Sequence, residues 1–123
     1  MIRFTADHEW VRVEDNVAVV GITNHAQDAL GDITYVELPP VGNTFAKGDV
    51  LCVVESVKAA SDVFMPFDGK VSEVNTVLDG TPELINNSAE SEGWICKIID
   101  FTLADFNDLM DSQAYNAMLA NQE

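Results

Sequence analysis

Lys58 is the residue whose type and surroundings most clearly suggest chemistry in this sequence. It lies in VVESVKAASDV, residues 53–63, among small and apolar side chains. The whole chain has only 6 Lys and Arg against 21 Asp and Glu, so a cation in an apolar, strand-like run is conspicuous. An accessible lysine amine between small residues suits an enzyme that acylates one particular lysine, because the flanking backbone can approach that enzyme's active site. The alternative is a solvated charge that prevents the edges of sheets from pairing.

Two predicted strands flank this lysine closely. VLCVVES, residues 50–56, is a continuous apolar run typical of a buried strand, and SDVFMPF, residues 61–67, is the next strand. Only residues 57–60 lie between them, so we predict Lys58 at the tip of a hairpin. Surface hairpin turns are normally built from Gly, Asn, Asp or Pro, whereas Val57 and the alanines here are apolar. This composition indicates that a partner recognises the turn.

The remaining sequence predicts short strands with helices at their edge. Two β-branched segments within residues 8–22 are separated by polar residues, which is typical of a hairpin. Thr23 and Gly31 have the types that begin and end a helix over residues 24–30. The other predicted elements are strands over 32–38, 70–78 and 94–101, a helix over 82–86 with Thr81 as its N-cap, and helices over 103–110 and 112–119 capped by Thr102 and Asp111. We therefore expect one domain, residues 1–123, with C-terminal helices over about 102–120.

The charge excludes two classes of partner. A formal net charge of -15 argues against binding nucleic acid or anionic lipid, since both attract clusters of Lys and Arg. The first ten residues, MIRFTADHEW, reach charged side chains before any apolar run, and no run is long enough to span a bilayer. We therefore expect a cytoplasmic protein, without a membrane partner, that acts on proteins or small molecules. We also expect it to be a monomer.

Four side chains with ligand chemistry show no pattern of a metal or redox site. Cys52 and Cys96 lie singly in apolar segments, without the paired spacing that a zinc site or a redox dithiol requires. His8 and His25 have no matching cysteine cluster or carboxylate spacing. We therefore predict no metal, two buried thiols and two structural histidines.

Several sequence blocks together resemble the glycine cleavage system H protein family. ESVKAASD, residues 55–62, is similar to the lipoyl-attachment motif of that family. Biotin carriers usually flank the target lysine with methionines, and the lipoyl domains of 2-oxo acid dehydrogenases usually place Asp before it, so Val57 fits neither. Residues 88–92, SAESE, depart from the Pro-Tyr pair of many members. The other similar blocks, in the family's order, are HEWVRV (8–13), VGITNHAQDALGDITYVELPPVG (20–42), PELIN (82–86), GWICKI (93–98) and LMDSQAYNAML (109–119).

The resemblance implies a fold and an attachment site. The fold would be mainly β, a barrel-sandwich hybrid like that of lipoyl and biotinyl carriers, with short helices and a C-terminal helical segment. The cofactor would be lipoate in amide linkage to Lys58. The flank of the attachment motif would be Glu55, Ser56, Val57 and Ala59.

The resemblance also implies a cleft that holds the loaded arm. The acidic residues with which the family holds the loaded arm correspond to Glu9 and Asp62 in this sequence. We expect both to be partly exposed carboxylates that face the cationic end of the arm. For any single acid in so acidic a chain, the alternative is ordinary surface charge.

The function implied by the resemblance is that of a carrier and not of an enzyme. The arm would receive an aminomethyl group at glycine decarboxylase, pass its one-carbon unit to tetrahydrofolate at an aminomethyltransferase, and be reoxidised by dihydrolipoyl dehydrogenase. A lipoate ligase or a lipoyl or octanoyl transferase would attach the arm. Two alternatives remain open: a lipoyl or octanoyl carrier or donor in lipoate metabolism, and an unmodified interaction module of the same fold.

Overall fold

Strands make up most of the regular structure in the computed structural model, which describes residues 1–121. The strands are β1 (Ile2–Phe4), β2 (Glu9–Glu14), β3 (Val17–Ile22), β4 (Ile33–Glu37), β5 (Thr44–Phe45), β6 (Val50–Ser56), β7 (Ala60–Phe64), β8 (Gly69–Val74) and β9 (Cys96–Ile99). The helices are α1 (Asn24–Leu30), α2 (Val77–Gly80), α3 (Leu84–Ser88), α4 (Leu103–Asn107) and α5 (Ser112–Asn121). None of the helices in this described part is long and apolar enough to cross a membrane.

The strands form two antiparallel sheets. In the part of the chain described, the larger sheet has the order β1-β2-β3-β9-β8-β5 and the smaller has the order β4-β6-β7. The predicted mainly β fold with short helices and a C-terminal helical segment is confirmed, and its layers are two separate sheets, not one closed barrel. The predicted domain extends to residue 123, but residues 122 and 123 lie outside the described residues.

The inward faces of the two sheets supply the main core. Val11, Val20, Val54 and Ile98 have no exposed surface, as expected when apolar side chains alternate along paired strands. The prediction of buried thiols is confirmed, because Cys52 and Cys96 are both buried and free. Burial raises the pKa of the Cys52 thiol to about 12.

The predicted caps of three helices are confirmed. The Thr23 hydroxyl accepts a hydrogen bond from the Ala26 N–H at 3.2 Å, and Gly31 ends α1 with a φ of 81°. Thr102 caps α4 through the Asp105 N–H, and the Asp111 carboxylate accepts from Ala114 at the start of α5. These signals are local in sequence, so nearby residues suffice to predict them.

Several predicted boundaries are wrong. The strand predicted over 61–67 is β7, which ends at Phe64, and the helix predicted over 103–110 is α4, which ends at Asn107. The helix predicted over 82–86 is α3, which begins at Leu84 after a turn, and the Thr81 side chain does not cap it. The strand predicted over 70–78 ends at Val74, because the Asn75 and Thr76 carbonyls accept turn hydrogen bonds from the Leu78 and Asp79 N–H groups as the chain enters α2. The strand predicted over 94–101 is limited to Cys96–Ile99. At the start of α3 and the end of β8, turn hydrogen bonds set the boundary.

Candidate functional site

Lys58 is exposed at the tip of the hairpin formed by β6 and β7, so its predicted position is confirmed. Glu55 pairs with Ala60 across the hairpin, which leaves a tight turn over residues 56–59. Within residues 1–121, no carboxylate lies within ion-pair distance of the Lys58 amine. The amine is therefore available to a partner.

The side chain of Ser56 organises this turn. Its Oγ accepts the N–H groups of Lys58 at 3.1 Å and Ala59 at 3.2 Å, while the Ser56 N–H donates to the Ala59 carbonyl at 2.8 Å. A hydroxyl that takes the place of a backbone acceptor allows the turn to close without a glycine. Ser56 was predicted only as part of the motif flank, and its structural role could have been proposed from its type.

The hairpin tip rests on the segment that joins α1 to β4. The Val57 N–H donates to the Asp32 carbonyl at 3.0 Å. A Cβ built at Gly31 would lie 3.3 Å from Lys58 Cε and 3.9 Å from Nζ, so the lysine stem passes directly over this glycine. The Val57 side chain remains 68% exposed beside it. The segment Gly31-Asp32 thus forms a shelf under the hairpin tip and the far end of the Lys58 side chain.

A cleft begins next to this shelf and follows one face of α1. Its floor is apolar, from Leu30 and two alanines of the helix, and its other end is polar. The lining residues are Asp7, His8, His25, Ala26, Ala29, Leu30 and Ser61. Such a cleft suits a flexible chain that is apolar along its length and polar at its end. None of these residues was predicted to line a cleft, and the two acids that were, Glu9 and Asp62, are not among them.

Glu9 is a buried carboxyl and not the partly exposed acid that the sequence led us to expect. The residue is 2% exposed. Oε1 accepts a hydrogen bond from the Thr5 hydroxyl at 2.6 Å, and Oε2 accepts one from the Phe64 N–H at 3.3 Å. Burial raises the pKa of Glu9 to about 7, although the hydrogen bonds from Thr5 and Phe64 oppose the shift. Its contact with an arm stays a prediction.

The other predicted acids are exposed. Asp62 lies on β7 opposite Val53, and Glu55 lies near the end of β6. Ser61, the neighbour of Asp62, pairs with the buried Val54, so alternation along the strand turns Asp62 toward the opposite face. A role for Asp62 in holding the arm also stays a prediction.

The two histidines stack against each other at the polar end of the cleft. The His8 and His25 ring centroids are 4.6 Å apart, and His8 Nδ1 is hydrogen-bonded to the Tyr115 hydroxyl at 2.7 Å. Burial lowers the pKa of His8, and the neighbouring His25 lowers it further. Among residues 1–121, no group of three or more His, Cys, Asp or Glu side chains is placed to hold a metal ion. The hydrogen bond to Tyr115 also ties this end of the cleft to α5.

Comparison with known proteins identifies the family. A family model described as Glycine cleavage H-protein matches residues 2–122. The chain belongs to the glycine cleavage H-protein family. The glycine cleavage system H protein of Thermotoga maritima is 52% identical over 122 residues, covering 99% of this chain and 98% of that protein. The one from Bartonella quintana is 50% identical over 118 residues, covering 96% and 97%.

A solved structure of the family has the same fold. The crystal structure of a glycine cleavage system H protein from Mycobacterium marinum matches with a TM-score of 0.87 and 32% identity, over 97% of this chain and 96% of that one. The resemblance found in the sequence blocks is thus confirmed. Glycine cleavage H-proteins are carriers with lipoate bonded to a lysine, and not catalysts.

Proposed function

We propose that this chain is the lipoyl carrier of a glycine cleavage system and that Lys58 Nζ is the atom acylated by lipoate. The observation that carries the proposal is the exposed lysine at the tip of a hydrogen-bonded turn, near a cleft with one apolar wall, in a chain of this family. The carrier would serve glycine catabolism and one-carbon metabolism. We also propose that it acts in the cytoplasm.

The other lysines are less suitable as acceptors. Lys70 lies on β8, paired with residues of both neighbouring strands. Lys97 lies on β9, 3.7 Å from a Glu73 carboxylate oxygen and over the Trp94 ring. Lys47 is exposed at a turn, but the common turn residues Gly48 and Asp49 follow it, so only Ala46 offers apolar surface beside it. Lys58 alone among the four is exposed with apolar side chains on both sides.

The residues around Lys58 fit a lipoyl arm. Gly31 leaves room for the lysine stem, which a Cβ at that position would crowd. The apolar cleft wall of Ala26, Ala29 and Leu30 can receive a hydrocarbon chain, and Asp7 provides a carboxylate at the polar end. When bound, lipoate supplies a dithiolane that accepts the aminomethyl group of glycine and returns as a dithiol for reoxidation.

The protein residues position this chemistry and do not perform it. Ser56 holds the turn, so Lys58 projects from a fixed backbone while its side chain is free to move. A tethered carrier raises the local concentration of its cargo at each partner's site, which replaces diffusion of an unstable intermediate. Glu9 and Asp62 remain proposed contacts of the loaded arm.

The proposed partners are glycine decarboxylase, the aminomethyltransferase, dihydrolipoyl dehydrogenase and a lipoate ligase or lipoyl or octanoyl transferase. A net charge of -15 favours partners that present basic surfaces, because opposite charges steer association over long distances.

Acylation of lysine variants tests this assignment. The wild-type chain, Lys58→Arg and the control Lys47→Arg are incubated with lipoate ligase, lipoate and ATP, and intact masses are measured. We expect one lipoyl group on wild type and on Lys47→Arg, and none on Lys58→Arg, because a guanidinium cannot replace the amine as an acceptor. Modification of Lys58→Arg, or an unmodified wild type, would contradict the proposal.

A further inference from the structure

Asn86 lies at the end of the PELIN block, to which neither the sequence nor the proposed function assigns a role. We propose that Asn86 is a positioning residue for Lys58: its side chain fixes the Gly31-Asp32 shelf on which the hairpin tip and the far end of the lysine side chain rest. This inference rests on the proposed function of Lys58.

Both N–H donors and the oxygen of the Asn86 amide are hydrogen-bonded. Nδ2 donates to Gln27 Oε1 at 2.9 Å and to the Gly31 carbonyl at 2.9 Å. Oδ1 accepts the Ile33 N–H at 2.9 Å. The Ile33 donor and the Gly31 carbonyl also fix which amide atom is oxygen and which is nitrogen. One side chain therefore joins the last turn of α1 to the first residue of β4.

The two residues just before Ile33, one of them bonded to Asn86 through its carbonyl, carry the contacts to the hairpin. Asp32 supplies the carbonyl that accepts the Val57 N–H, and Gly31 lies under the Lys58 stem. Gly31 also has a φ of 81°, a conformation that L side chains rarely adopt. Asn86 thus bonds to the shelf at the Gly31 carbonyl and to residues before and after it, while the hairpin contacts both shelf residues.

Asn86 has a firm base from which to hold the shelf. It lies on α3 next to Ile85, which has no exposed surface. The chain after the helix returns so closely that a Cβ at Gly93 would lie 2.8 Å from the Ser88 carbonyl oxygen. A half-buried side chain on an element anchored in the core can transmit that rigidity to a surface segment.

The expected consequence is a lower population of the lysine presentation that partners recognise. A partner's apparent affinity falls in proportion to the fraction of the competent conformation. Loss of Asn86 should therefore raise the KM of the ligase for the chain, by about threefold to tenfold for the loss of a net hydrogen bond, and leave kcat unchanged.

Asn75 offers a matched control. Like Asn86, it donates two hydrogen bonds from Nδ2 to oxygen acceptors, the carbonyls of Glu92 and Trp94, at 3.0 and 2.8 Å. Both of its partners lie in the loop before β9, and it is buried. Asn75→Asp therefore removes comparable bonds without touching the shelf.

The experiment compares full-length wild type, Asn86→Asp and Asn75→Asp in two measurements. In the unmodified chains, hydrogen exchange at the Val57 amide should become about fivefold to tenfold faster in Asn86→Asp and stay at the wild-type rate in Asn75→Asp. The Ile33 amide keeps an acceptor in Asn86→Asp, because a carboxylate oxygen replaces Oδ1, so its exchange is not the readout. In ligase kinetics, only Asn86→Asp should show the raised KM. Gln27→Ala, which removes one partner of Asn86, should give a smaller change of the same kind and replaces Asn86→Asp if that variant does not fold.

Two results would overturn the inference. The first is an Asn86→Asp variant whose Val57 exchange rate and ligase KM both match wild type. The second is an Asn75→Asp variant with the same faster exchange and raised KM as Asn86→Asp, which would indicate general destabilisation. An unmodified wild-type chain would instead contradict the assignment of Lys58, and the exchange measurement would still decide the role of Asn86.

Discussion

The hairpin of β2 and β3 and the hairpin of β6 and β7 close their turns by different means. The turn between β2 and β3 places Asp15 and Asn16 at φ values of 51° and 65°. These are residue types that tolerate a left-handed conformation, so the turn is determined locally. The turn between β6 and β7 carries Val57 and Lys58, and no residue in it has a positive φ.

The second turn depends on contacts that the first does not need. Ser56 Oγ accepts two of its N–H groups, and the Asp32 carbonyl accepts a third. Because these contacts fix the backbone, both central positions are free to carry residues that a partner recognises. The turn that carries Lys58 thus obtains its conformation from hydrogen bonds to neighbouring residues, whereas the turn between β2 and β3 obtains it from the types of its own two residues.

Exchanging the residues of the turns should give the largest effect. Asp15→Val with Asn16→Lys places a β-branched and a long side chain at positive φ, which costs about 2 to 4 kcal/mol of unfolding free energy. Urea denaturation measures this loss, and the new lysine should remain unmodified by the ligase. Val57→Ala serves as the control, with a change within about 0.5 kcal/mol. Wild-type stability in the double variant would remove the basis of the comparison.

Glu9 joins the two hairpins, since it begins β2 and accepts the Phe64 N–H at the end of β7. Its pKa rises from 4.5 in the unfolded chain to about 7 in the fold, so the folded state retains a proton that the unfolded state loses. Stability should therefore fall as the pH rises from 4.5 to 7, by at most about 3 kcal/mol relative to Glu9→Gln.

Denaturation at several pH values tests this difference. The control is Glu14→Gln at the exposed end of the same strand, which should follow wild type. Parallel curves for wild type and Glu9→Gln would mean that the buried carboxyl ionises equally in both states.

The smallest expected effect comes from removing the hydroxyl that organises the second turn. Ser56→Ala should cost about 1 kcal/mol of unfolding free energy and should lower the rate of lysine acylation, because the turn no longer holds one conformation. Ser72→Ala, which removes one hydroxyl bond to the Lys97 carbonyl on the large sheet, should lower stability only. Unchanged acylation in Ser56→Ala would show that the Asp32 contact alone fixes the turn.

Local features of the fold could be predicted from the sequence, and distant ones could not. Thr23, Gly31 and Lys58 could be interpreted because their neighbours in sequence determine a cap, a helix end and a hairpin tip. Glu9 was misjudged as exposed, because its burial depends on Phe64, 55 residues away. Hydrophobic patterns do not report which strand covers a given carboxyl.

The support beneath the lysine was missed for the same reason. Asn86 bonds to residues 53 to 59 positions away, and nothing in PELIN indicates those partners. Thr81 was predicted as a cap from its residue type. In the structure, the carbonyls of Thr81 and Pro82 accept turn hydrogen bonds at the start of α3, and the Thr81 side chain takes no part. The resemblance of PELIN to the family was the only sequence signal for Asn86. It indicated that the residue belongs to the family pattern, but not which residues it contacts.

The central claim is that one lysine of the four carries the arm, and peptide mapping of the protein purified from its native host tests it most directly. Tandem mass spectrometry of the lipoylated peptide should locate the lipoyl group on Lys58 and leave Lys47, Lys70 and Lys97 unmodified. Lipoate on any of those three, or a chain that carries none while other lipoyl proteins of the same cells are modified, would contradict the account.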